Sequence, residues 1–181
     1  MDLPIDPVFG FTSRSLLVLV FGAAVVHKLA QPRRFLAVLR EYRVLPEAMI
    51  MPAALLVVCA ECFAVIGIWW HGSRTWAAAT AVALLATYCV AIGINLRRGR
   101  LGIDCGCSFG ASSQTLSPIL LGRNALLALP CAAAGLPATH ALGGTGFVVS
   151  ILGAFALWLS YQVWGELVAN RPRVLQLEGR K

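Results

Sequence analysis

Apolar residues fall into five long stretches, Ser15 to Ala30, Pro52 to Trp70, Thr75 to Leu96, Pro118 to Leu136 and Gly146 to Gly165. Each approaches or reaches the roughly 17–25 residues that an α-helix needs to cross a hydrocarbon core about 30 Å thick. The pattern predicts an all-α fold, a polytopic transmembrane helical bundle of about five spans. The first stretch is short and ends in His27-Lys28, so the ammonium is expected to snorkel toward the head groups. The fourth carries Arg123-Asn124 and needs polar partners inside the bundle. Between the first two, Phe35, Leu36, Val38, Leu39 and Tyr42 recur at near-helical spacing with Arg33, Arg34, Arg40 and Arg43 interleaved. That pattern predicts a short interfacial helix over residues 32–42, with Pro46 and Pro52 breaking the chain and launching the second span. Residues 1–170 then form one integral membrane domain, and residues 171–181 a basic cytoplasmic tail.

Composition agrees, since 59% of the chain is hydrophobic, 13% is charged and the mean hydropathy is +0.77. Soluble domains carry about 25% charged residues. An ordinary soluble enzyme, a disordered chain and a nucleic-acid-binding domain are all poor fits. The net charge of +7 does not mark a polyanion partner, because the positive residues lie in the gaps between apolar runs. Arg33, Arg34, Arg40 and Arg43 in the first loop, Arg97, Arg98 and Arg100 in the third, and Arg171, Arg173, Arg180 and Lys181 in the tail stand against Arg14 and Arg74 on the opposite side. The positive-inside rule therefore places the N-terminus outside and the C-terminus in the cytoplasm of a multi-pass protein of the bacterial inner membrane. A four-span arrangement would put the tail and the third loop on opposite sides and spoil the asymmetry. No cleavable signal is expected, because Met1 to Pro7 carries Asp2 and Asp6 in place of a basic region. Trp69, Trp70 and Trp76 flank the second loop as interfacial anchors do.

The third loop holds the most suggestive chemistry. Its sequence Gly99 to Gly110 frames Cys105-Gly106-Cys107 with glycines that let the backbone turn sharply or approach another chain. Two thiols at this spacing can form a strained, oxidising disulfide or exchange with a partner's thiols. They can equally be small loop residues or half of a zinc site. Zinc needs four ligands, and two of the three histidines, His71 and His140, fall on the other side of the membrane, so no metal is expected. Cys59 and Cys62 have Cys-x-x-Cys spacing on one helix face and form a possible secondary redox pair. Free cysteine also packs as a small hydrophobe, which is the simpler reading of Cys89 and Cys131.

Ionisable groups within a bilayer are costly unless paired. Glu61 and Arg123 lie roughly 13 Å and 8 Å into their spans by helical rise. A Glu61–Arg123 pair aided by Asn124 and by His27 or Lys28 is the expected arrangement, either as a clamp on helix register or in proton or substrate handling. Glu61, Arg123, His27 and all the cysteines except Cys131 are expected in the same half of the bundle.

His27-Lys28-Leu29, Phe35, Glu41-Tyr42-Arg43-Val44-Leu45-Pro46, Glu61, Asp104-Cys105-Gly106-Cys107-Ser108-Phe109-Gly110 and Arg123-Asn124 occur in an order that resembles the methylamine-utilisation MauE proteins, within the DoxX-like redox-associated membrane proteins. The resemblance covers about residues 11–130. It implies an inner-membrane partner of a thioredoxin-like disulfide oxidoreductase that supports maturation or export of the disulfide-rich small subunit of methylamine dehydrogenase. Disulfide clients mature outside, whereas the charges put Cys105 and Cys107 toward the cytoplasm. Electrons could cross through Cys59 and Cys62 or a quinone, or the loop could dip into the bundle. The expected function is thiol-disulfide relay with Cys105 and Cys107 as the reactive pair. The alternatives are a non-catalytic scaffold for the thioredoxin-like partner and a small-solute or proton pathway through Glu61 and Arg123.

Overall fold

The computed structural model describes residues 5–100 and 117–178, which form six α-helices. Four of these, α1 (Pro7–Ala30), α3 (Glu47–Gly67), α4 (Arg74–Arg97) and α6 (Gly144–Glu178, through its Gly144–Leu167 stretch), are long and apolar enough to cross a membrane. The shorter apolar helix α5 (Pro118–Ala134) has 17 residues, about 26 Å at 1.5 Å per residue. The amphipathic α2 (Pro32–Tyr42) has the bounds that its sequence pattern predicts. This is a multi-pass membrane protein.

Helix starts follow local chemistry. The Asp6 carboxylate accepts from Val8 N at 2.8 Å and Phe9 N at 3.1 Å, and Pro7 occupies the first turn, where its missing N–H costs nothing. Ser117 and Pro118 open α5 in the same way, with the hydroxyl accepting from Ile119 N at 3.2 Å. Because α1 begins at Pro7 and not at Ser15, Arg14 lies inside the helix. Its guanidinium donates to Ala134 O at 3.1 Å and Leu136 O at 2.9 Å. These are carbonyls at the C-terminal end of α5, which have no intrahelical partner and carry partial negative charge. They explain how an arginine in this span is only 8% exposed.

Two more bounds differ from expectation. The second crossing starts at Glu47 and runs through Pro52. Pro52 lacks the N–H that would reach Ala48 O, but Ala48 stands in the exposed first turn, where that carbonyl has other partners available. The last helix continues past Gly165 to Glu178 and takes in most of the segment expected as a tail.

Lipid tails are as apolar as leucine, so helices in a bilayer associate through close packing instead of hydrophobic burial. Ala64, Ala77, Ala81 and Ala134 are fully buried between α3, α4 and α5. A Cβ built on Gly135 would lie 2.8 Å from Ala78 Cβ, so α4 and α5 meet where only glycine fits. Leu55, Leu56, Leu126, Leu129 and Leu152 project outward. Gly67 lies beside Ala77 across the α3–α4 turn, and Ser150 of α6 donates to Val8 O near the start of α1 at 3.1 Å. Thus α3 and α4 are antiparallel, and α1 and α6 are parallel.

Candidate functional site

Near the end of α1, Lys28 turns into the bundle. Its Nζ donates to Glu61 Oε1 of α3 at 2.5 Å, and Tyr88 Oη of α4 donates to the same oxygen at 2.6 Å. Lys28 is 5% exposed and Glu61 is completely buried. The expected snorkelling does not occur, because the carboxylate offers the ammonium a neutralising partner closer than the head groups. The rings of Phe35 and Tyr88 lie 5.4 Å and 5.7 Å from Nζ, adding two cation–π contacts. Phe35 comes from α2, which is more than a surface helix: its Val38 and Tyr42 are buried against Ile92 and Leu120. It roofs the ion pair at the end where α1 stops.

The expected Glu61–Arg123 pair is not formed. Lys28 and Tyr88 take Glu61 Oε1 instead, and α5, which carries Arg123, packs mainly on α4 and α1. Its guanidinium instead stacks on the Tyr161 ring of α6, 3.7 Å from the centroid. Asn124 does reach the acidic centre, lining with Glu61, Lys28 and Tyr88 a cavity of about 40 Å³ that Trp158, Tyr161 and Gln162 close from α6. Neighbouring His27 is half-buried, and its carbonyl accepts from Gln31 N at 3.0 Å. Sequence reasoning missed Tyr88, Trp158 and Gln162. The available signal was their polar atoms in the middle of apolar spans, where each needs a partner.

Of the cysteines, Cys59 is exposed on α3 and Cys62 half-buried, so the Cys-x-x-Cys spacing spans the edge of the helix's outward face. Cys89 Sγ lies 3.9 Å from Leu121 O, and Cys131 is buried in the core. Cys105 and Cys107 lie outside the described residues. The chain leading to them is docked, however: Arg98 Nη1 donates to Arg43 O at 3.0 Å, and Arg100 Nη1 to Glu41 O at 3.3 Å. Both acceptors belong to the C-terminal end of α2. Beside it, a cavity of about 270 Å³ lies among α2, α3 and α4, with apolar walls broken by Lys28, Tyr42, Thr87 and Tyr88. A wider groove of about 540 Å³ lies among α1, α5 and α6.

Residues 6–137 match the model described as methylamine utilisation protein MauE. The chain belongs to the MauE family. It is 34% identical to the methylamine utilization protein MauE of Paracoccus denitrificans, over 99% of each chain. It is 38% identical to that of Methylorubrum extorquens over 71% of this chain and 69% of the relative, and 32% identical to that of Paracoccus versutus over 97% of each. No solved structure matches. The family match covers α1 to α5 and stops before α6, which the Paracoccus relatives cover.

Proposed function

We propose that this protein serves methylamine utilisation as a membrane-embedded thiol-disulfide relay, working with a thioredoxin-like oxidoreductase in the maturation or export of a periplasmic redox protein such as the methylamine dehydrogenase small subunit. Cys105 and Cys107 are the reactive pair in this reading. The observation that carries it is the docking of Arg98 and Arg100 on the end of α2, which fixes the base of the cysteine-bearing segment against the helix that roofs Lys28 and Glu61. Family membership over nearly the whole chain supports the methylamine context.

Oxidation of the two thiols to one disulfide releases two electrons and two protons, which a quinone takes up on becoming a quinol. The apolar cavity of about 270 Å³ suits such a ring, and Lys28 and Tyr88 stand in its wall as polar groups. With Arg14 inside the bundle, Arg74 is left facing the eleven positive residues of the two loops and the tail, which supports a cytoplasmic C-terminus in the inner membrane.

Thiol trapping in intact cells with permeant and impermeant reagents tests the reading. Cys105 and Cys107 should cycle between thiol and disulfide during growth on methylamine, and C105S or C107S should stop client maturation. Permanently reduced thiols and unchanged maturation would leave a scaffold.

A further inference from the structure

Two residues that line the small cavity at the centre of the bundle each carry a buried polar atom without a hydrogen-bond partner among the described residues, Glu61 Oε2 and Trp158 Nε1. One is an acceptor with charge on it and the other is only a donor. Leaving both bare within lipid would cost several kcal/mol. A buried water needs roughly 10–15 Å³ and two to four polar partners, and this cavity offers about 40 Å³ with Asn124 and Gln162 also in its wall.

We propose that the cavity is a built hydration site, in which an ordered water donates to Glu61 Oε2 and accepts from Trp158 Nε1. Donor logic selects the ligand. A metal or ammonium cation would suit the carboxylate, but it cannot accept from the indole N–H, and Lys28 already supplies the neutralising charge. An anion would accept from the indole but meet Glu61 directly. Neutral water satisfies both atoms. The water ties α6 to the Lys28–Glu61–Tyr88 centre, so the helix beyond the family-matched segment completes the site built by the helices within it.

Trp158→Phe tests this, since it keeps the ring and deletes the N–H. A structure of the full-length protein in nanodiscs, at a resolution that shows ordered solvent, should have density in the cavity of the wild type and lose or displace it in W158F. In detergent, the drop in Tm caused by W158F should shrink or vanish in an E61Q background, because the two residues share one water. An empty wild-type cavity, or drops in Tm that simply add, would overturn the proposal. If E61Q does not fold, the density comparison decides. Tyr88→Phe is the control, expected to leave the water in place because its hydroxyl bonds Oε1 and not Oε2 of Glu61.

Discussion

Lys28 Nζ and Glu61 Oε1 stand 2.5 Å apart, in side chains drawn from helices antiparallel to each other and 33 positions apart in sequence. Both side chains are buried, Glu61 completely. Removing one partner leaves the other uncompensated, a loss of about 3–5 kcal/mol for buried pairs. Lys28→Met and Glu61→Gln should each markedly destabilise the protein, with Tyr88→Phe milder. The double variant Lys28→Met with Glu61→Leu should recover much of the loss. Denaturant unfolding in micelles reads all four, and a double variant as unstable as the worse single one would argue against a mutually compensated pair.

Arg14 joins α1 to the last carbonyls of α5 through two hydrogen bonds. Arg14→Met keeps the stem and deletes the donors, and should cost about 1–3 kcal/mol, the scale of buried acceptors left bare. Proteolysis in the loop after α5 should also quicken as that helix end frays.

The contact between Gly135 and Ala78 sets how closely α4 and α5 approach. Gly135→Val should force them apart at a cost of about 1–3 kcal/mol, as overpacking does. Gly122→Ala, where a Cβ would meet no atom within 4 Å, should be close to neutral in the same assay.

The arginine contacts to the end of α2 are exposed, each net hydrogen bond being worth about 0.5–1.5 kcal/mol. The double variant Arg98→Ala with Arg100→Ala should therefore fold. If docking of this segment serves the relay, the variant should nevertheless slow the thiol-disulfide cycling of Cys105 and Cys107 in cells on methylamine.

The crossings and the interfacial helix could be read from residue pattern because hydrophobic runs and helical spacing are local properties. Helix bounds were less legible: the Asp6-Pro7 start carries α1 a further two turns before the hydrophobic run, so Arg14 looked like a loop residue. The partner of Glu61 was not legible at all. Depth along each span put Arg123 in range, but lateral order around the bundle decides which helices touch, and one-dimensional depth carries no information on it. Lys28 seemed placed for the head groups only while α2 was taken to lie flat, and not to roof it with Phe35.

At 17 residues, α5 is the shortest of the apolar helices among the described residues, and its Leu126 and Leu129 side chains face outward. A hydrophobic segment a few ångströms shorter than the acyl layer makes the layer adjust to it, at a fraction of a kcal/mol per ångström. A bilayer crossed by a helix of this length would thin along this one flank. Phospholipid head groups would sink nearest the protein's interior there, and a membrane-bound partner with an equally short segment would relieve the same deformation by settling beside it.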